Sequence, residues 1–166
     1  RVTLGPITKA DARTLYGWIN DPDLVRLSAA YKPVDEASHG AWLQGLSKRD
    51  DLVAFAIRMR RSGRLIGVCQ LTAISRVHRS ADLQIRIGDP KARGRGFGSE
   101  AVGLLTRFAF EDLNLHRVAL QVFATNQAAI RTYEKAGFRL EGTLRDAAYV
   151  GGAYVDIRLM ALLRAE

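Results

Sequence analysis

Two short stretches of this chain carry residue types that can do chemistry. The first is Asp82-Leu-Gln-Ile-Arg-Ile-Gly-Asp-Pro-Lys-Ala-Arg-Gly-Arg-Gly-Phe-Gly-Ser99, an alternating run that ends in a Gly-rich basic turn and opens onto a helical pattern. A helix N-terminus has free N–H groups and a partial positive charge, so it accepts phosphate. Glycines let the backbone approach a pyrophosphate closely. Arg93 and Arg95 add charge-assisted donors. The turn is not a Walker loop, because no Gly-Lys-Ser/Thr follows. It is not the dinucleotide fingerprint either, because Ser99 stands where a third glycine belongs. The same residues also fit a tight turn with solvated arginines. The second stretch is Asn126-Gln-Ala-Ala-Ile-Arg-Thr-Tyr-Glu-Lys-Ala-Gly-Phe138. Asn126 and Tyr133 are seven apart, so they share one helical face. Read singly, Asn126 is an N-cap, Tyr133 a core aromatic and Gly137 the residue just past the helix.

Other reactive side chains offer less. Cys69 is the single cysteine, which excludes an intrachain disulfide framework and a Cys-rich zinc site. It sits between apolar neighbours and reads as a small buried hydrophobe. His39, His78 and His116 have no metal-like spacing and read as solvated or capping, so no metal is expected. Trp18 and Trp42 fall at helical core spacing.

The elements that must position these groups fit one domain, residues 1–166. Hydrophobic residues are 48% and charged residues 25%, which excludes disordered and collagen-like classes. No apolar run reaches the ~18 residues of a membrane helix. Arg1-Val2-Thr3-Leu4 is neither a signal nor a basic transit peptide. The expectation is a cytoplasmic enzyme or binding module. Lys plus Arg number 25 against 17 acids, a net charge of +8 that favours anionic partners.

Periodicity predicts a strand over residues 2–7 and a helix from Lys9 to Asn20 with Ala12, Leu15, Trp18 and Ile19 inward. Asn20-Asp-Pro-Asp23 breaks it, and a second helix starts after Pro33 with Ala37, Ala41, Trp42 and Gly45 as its apolar positions. Leu52–Met59 and Leu65–Thr72 form a hairpin. Asp82–Gly88 alternates, with Leu83, Ile85 and Ile87 on one face and Asp82, Gln84 and Arg86 on the other. A helix follows the basic turn, then a strand over His116–Thr125, a helix over Asn126–Ala136, and a last strand pair around Gly151-Gly152. The order β-α-α-β-β-β-α-β-α-β-β predicts a mixed sheet with helices on both faces.

Together the two stretches resemble the GNAT superfamily of acetyl-CoA-dependent N-acetyltransferases. Arg93-Gly-Arg-Gly96-Phe-Gly98 matches its Arg/Gln-x-x-Gly-x-Gly/Ala signature, and Asn126 to Phe138 matches a second run. Asn20-Asp-Pro, Gly98-Ser-Glu100-Ala101 and Leu140-Glu-Gly142…Leu144-Arg145 look like the bacterial branch that acetylates ribosomal-protein N-termini. The resemblance implies an α+β GNAT fold whose mostly antiparallel sheet is splayed between strands 4 and 5. It implies that backbone N–H groups of Arg95, Gly96, Phe97, Gly98 and Ser99 hold the pyrophosphate of acetyl-CoA, with Gly94 in the same cofactor-binding turn and side-chain contacts from Arg93 and Arg95. The edge at Ile85, Arg86 and Ile87 would pair with the pantetheine amides, and Asn126 would touch the pantetheine. Tyr133 would protonate the leaving thiolate, Asp82 would serve as base directly or through water, and the Ile87 N–H would steady the oxyanion. Tyr31 and Gln84 would face the acceptor, with the loop from Tyr149 to Tyr154 beside it. Homodimers are common in the family.

Three acceptor readings follow. The first is the α-amine of a protein or peptide, attacking directly without an acyl-enzyme. The second is a small amine, an amino-sugar nucleotide or a polyamine, for which Asp21, Asp23, Asp35 and Glu36 could supply carboxylates. The third is a non-catalytic basic module that binds RNA or ribosome. No aromatic stacking platform accompanies the arginine-rich turn, so nucleic acid is expected only through a ribosome, and no membrane partner is expected.

Overall fold

The structure is a computed structural model that describes residues 1–28 and 32–166. Its strands are β1 (Val2–Gly5), β2 (Val53–Met59), β3 (Leu65–Ser75), β4 (Ser80–Ile87), β5 (Arg117–Phe123), β6 (Arg139–Val150) and β7 (Ala153–Leu163). Its helices are α1 (Ala12–Ile19), α2 (Pro22–Val25), α3 (Glu36–Gly45), α4 (Phe97–Arg107) and α5 (Gln127–Lys135). The strands form one sheet in the order β1-β2-β3-β4-β5-β7-β6. Every pairing is antiparallel except β4 with β5. Among the described residues no helix is long and apolar enough to cross a membrane.

Helix α4 lies on the main core. Its Ala101, Val102 and Leu105 are fully buried against Ile57, Ile66, Leu71 and Val118 of the sheet. Burying each large aliphatic side chain contributes roughly 1.5–3 kcal/mol. Ile130 and Tyr133 of α5 join the same core. Helix α1 belongs to the other face: Asp11 at its N-cap pairs with Arg58 at 2.6 Å. Strand alternation turns Arg58 away from the core-facing Ile57.

Two local expectations change. Asn20-Asp-Pro does end α1, but it also starts a one-turn helix. Asp21 caps α2 by accepting from the Asp23 N–H at 2.9 Å, and Pro22 takes the N1 position, where its missing N–H costs nothing. Asn20 then closes the connection: its Oδ1 accepts from the Val34 N–H at 3.0 Å and its Nδ2 donates to the Val34 carbonyl at 3.0 Å. Helix α3 shows the opposite face from the one expected. Ala37, Ala41 and Trp42 are exposed, while His39 is buried and Leu43 and Leu46 are half-buried. His39 is therefore not solvated. It packs 5.6 Å from the Tyr16 ring and 5.5 Å from Trp42, and burial lowers its basicity.

Candidate functional site

The site begins where strand pairing stops. β4 has a neighbour on both sides only over Ser80, Ala81 and Asp82, which pair with Arg117, Val118 and Ala119. From Leu83 to Ile87 it stays paired with β3 alone, from Leu83↔Leu71 to Ile87↔Gly67. β5 meanwhile runs on beside β7 as far as Phe123↔Ile157. The two strands part into a wedge. One side of the wedge is an unpaired strand edge, whose N–H and C=O groups can receive an extended chain. Ile85, Arg86 and Ile87 lie on that edge.

Past β4 the chain turns tightly. Asp89 Oδ1 accepts from the Lys91 N–H at 2.8 Å, and Pro90 opens a short 3-10 turn to Ala92. Gly94 at φ +70° and Gly96 at φ +81° are left-handed, a conformation that costs any other residue about 1–2 kcal/mol. Gly96 is the N-cap of α4 and has no side chain to cap it. The first backbone bond of the helix is from the Glu100 N–H to the Gly96 carbonyl at 3.2 Å. The N–H groups of Phe97, Gly98 and Ser99 therefore lead off the helix end, at its positive pole. This cradle and the open edge fit a pyrophosphate joined to an arm that carries amides.

The two arginines of the turn divide. Arg93 donates from Nε to the Ile87 carbonyl at 3.0 Å and from Nη2 to the Gly88 carbonyl at 2.8 Å. It braces the turn against the end of β4. Arg95 stays at the surface, over the Phe97 ring at 5.7 Å and 3.4 Å from the Lys91 carbonyl. Sequence reasoning missed a second brace. The Trp18 ring of α1 lies on Gly88, where a Cβ would stand only 1.9 Å from it.

Asp82 is the last β4 residue that pairs with β5, so it sits at the crotch of the wedge, exposed. Arg117 lies near enough to feel its charge, while its own ion pair is with Glu141. Gln84 lies two residues further on the same face and accepts from Gln70 Nε2 at 2.6 Å. Tyr31 lies outside the described residues.

On the other side of the wedge, α5 follows β5. Asn126 caps it, accepting from the Ala129 N–H at 3.2 Å. Its other end closes with two bonds, from the Gly137 N–H to Glu134 and from the Phe138 N–H to Tyr133, each 3.0 Å, with Gly137 at φ +94°. That pattern is a Schellman closure, and its usual apolar contact is present as Tyr133 against Phe138, centroids 5.9 Å apart. Tyr133 is thus held at both backbone and ring. The ring is buried, yet its hydroxyl makes no hydrogen bond to the described residues, among which no buried side-chain oxygen lacks a partner. Burial pushes the phenol up to about 12. Cys69, opposite Ile85, is buried and likewise pushed up to about 12, which removes it as a nucleophile. Among the described residues no group of acids, His and Cys is placed to hold a metal.

A splayed mixed sheet with a Gly-rich turn and a helix N-terminus at its opening can take a phosphate-bearing acyl donor. Residues 1–139 match the acetyltransferase (GNAT) domain family, and the chain belongs to it. It is an acetyl-CoA-dependent N-acetyltransferase. Spermidine N(1)-acetyltransferase of Escherichia coli K12 is 30% identical over 169 residues, 99% of this chain and 87% of that protein. The Vibrio cholerae enzyme of the same name is 36% identical over 102 residues, 61% of this chain and 58% of that protein. A crystal structure of spermidine N-acetyltransferase from Vibrio cholerae in complex with CoA and spermine superimposes with a TM-score of 0.91 at 27% identity, covering 99% and 96% of the two chains. The ribosomal branch expected from Asn20-Asp-Pro, Gly98-Ser-Glu100-Ala101 and the late strands is matched less fully than the Escherichia coli enzyme: a putative ribosomal N-acetyltransferase of Bacillus subtilis is 32% identical over 70% of this chain.

Proposed function

We propose that this acetyltransferase modifies the primary amine of a small aliphatic molecule of the polyamine kind, which enters from the α1–α3 side of β4. The reading rests on the full-length similarity to spermidine N-acetyltransferases. It is supported by Asp21, Asp23, Asp35 and Glu36, which stand at the starts of α2 and α3 and can face a second ammonium. It replaces the protein α-amine as the favoured acceptor.

Acetyl-CoA supplies a thioester whose carbonyl carbon takes the amine and whose sulfur leaves as thiolate. In this proposal the N–H groups of Phe97, Gly98 and Ser99 hold its pyrophosphate, with Arg95 beside them. The edge of Ile85, Arg86 and Ile87 receives the amide arm, and Asn126 lines the opposite wall. The Ile87 N–H faces the developing oxyanion. Asp82 takes the amine proton at the crotch: a lysine-like amine starts near 10.4, so it must be deprotonated before it attacks. Tyr133 keeps its proton at the hydroxyl throughout the physiological range. With the phenol near 12 and a thiol at about 8.5, full transfer would run about 5 kcal/mol uphill. Tyr133 therefore acts by donating a hydrogen bond to the sulfur as charge builds there, and CoA leaves as the thiolate, protonated afterwards from solvent.

A panel of spermidine, putrescine, amino-sugar nucleotides and peptides, each with acetyl-CoA, tests the acceptor. Turnover of the aliphatic amines above the peptides by at least about tenfold in kcat/KM supports it. A peptide preference overturns it.

A further inference from the structure

We propose that Arg86 receives an anionic group of the acceptor, so that the preferred acceptor is a small primary amine that also carries a carboxylate. The inference rests on the small primary amine of the reading above and departs from a simple polyamine by adding a carboxylate to it. Alternation along β4 puts Arg86 on the face of Asp82 and Gln84, opposite the core-facing Ile85 and Ile87. That face lies beneath the α1–α2 layer: Arg86 Nη2 reaches Ser28 Oγ, just past α2, at 3.2 Å, and Trp18 of α1 covers Gly88 two residues on. Arg86 is half-buried in the open half of the strand.

Its surroundings are unlike those of the other buried or bridging arginines. Arg58 has Asp11, Arg64 has Asp89 and Arg117 has Glu141. Arg93 has two carbonyls. Among the described residues Arg86 has one serine hydroxyl and no carboxylate. Burial is the only influence that moves its basicity, and it moves it down. A guanidinium does not shed its proton, so a partly desolvated one without an anion is a standing cost to the fold. A carboxylate on the ligand would remove that cost with two parallel hydrogen bonds. The phosphates of the cofactor have donors of their own, in the α4 N-terminus and Arg95.

Spacing adds a constraint. Arg86 lies four residues beyond Asp82, roughly 13 Å along the strand. An amine beside Asp82 and an acid group beside Arg86 must be several bonds apart. The terminal amine of a basic amino acid, with its carboxylate several bonds away, is of that kind.

Steady-state kinetics with acetyl-CoA on matched pairs tests this: L-lysine against cadaverine and L-ornithine against putrescine, in the wild type, Arg86→Met and Arg86→Lys. The acid-bearing member is expected to lead by at least about tenfold in kcat/KM, the gain typical of one charge-assisted pair. In Arg86→Met the ratio falls to about one, in Arg86→Lys it recovers in part, and the KM for acetyl-CoA stays put, because the edge meets the amide arm through backbone groups that the substitution keeps. Equal values in the wild type, or a ratio that Arg86→Met leaves unmoved, overturns the proposal. A raised KM for acetyl-CoA in Arg86→Met assigns the residue to the cofactor and overturns it as well. If only peptides are acetylated, the small-amine reading fails by itself. The ratio is then read on peptides with Asp against Ala in second position: a preference for Asp lost in Arg86→Met sustains the role of Arg86, and no preference ends it.

Discussion

The two halves of β4 are built to different rules. Ser80–Asp82 is held between two strands, whereas Leu83–Ile87 has β3 on one side and the wedge on the other. The closed half resembles any interior strand. The open half keeps its shape by other means: Trp18 on Gly88, and Arg93 on the carbonyls of Ile87 and Gly88. A strand edge normally invites promiscuous pairing. Here the edge is short, braced at its far end and bordered by a basic turn, as the docking strip of the proposed function requires. The site is made by withholding a neighbour from one strand, not by decorating a finished surface.

The comparison is broken most severely at Gly88. A Cβ there would stand 1.9 Å from the Trp18 ring, so Gly88→Ala must displace α1 or the turn, at a cost of roughly 3 kcal/mol. Urea unfolding should show that loss together with weaker acetyl-CoA binding. Gly5→Ala, with open space around it, should show neither.

Next comes pH. Cys69 backs the open half at Ile85, and its thiol is raised from an ordinary 9.0 to about 12 by burial. A raised folded pKa means that the folded state holds its proton longer than the unfolded chain. The contribution is fully present below pH ~9 and is lost as pH climbs toward 12, by about 2 kcal/mol at pH 10.5. Urea midpoints at pH 8 and 10.5 should diverge in the wild type and less so in Cys69→Ala. Equal divergence in both would clear the thiol of responsibility.

The opposite wall of the wedge is probed by Tyr133→Phe. Turnover should fall at least about tenfold while acetyl-CoA affinity holds, the size expected for a lost hydrogen bond to a charged leaving group. Unchanged turnover would strip Tyr133 of its proton-holding role. The mildest perturbation is Gly96→Ala, which forces a side chain into φ +81° at about 1 kcal/mol. A several-fold rise in the KM for acetyl-CoA, with kcat kept, would mark the turn as a binding element.

The sequence announced the parts whose signals are local. The alternation of Asp82–Gly88, the glycines of the turn and the Asn126–Gly137 frame all reappear, because caps and left-handed glycines are decided within a few residues. Interactions between distant elements were not visible. Nothing in α3 ranks His39-Leu43-Leu46 above Ala37-Ala41-Trp42 as the inward stripe, since the choice depends on Tyr16 of α1. Trp18 on Gly88 and Arg93 on Ile87 are likewise properties of where elements meet. Asp21-Pro22 was legible as a stop to α1, but its second use as a start for α2 needed the Asn20 clamp on Val34. Arg86 looked like one more polar position in an alternating strand, and only the layer above it makes it unusual.

One detail of strand order reaches beyond catalysis. β7 lies between β5 and β6, although it is made after both. During synthesis β6 therefore emerges with no strand to join, and β5 has a bare flank, until Ala153–Leu163 follows. The second half of the sheet is assembled by insertion, like a keystone set last. In that interval the nascent chain carries a bare flank on β5 and a wholly unpaired β6, the form most exposed to misassociation. Ribosomes that stall shortly before β7 should accordingly release aggregating fragments rather than a smaller folded core.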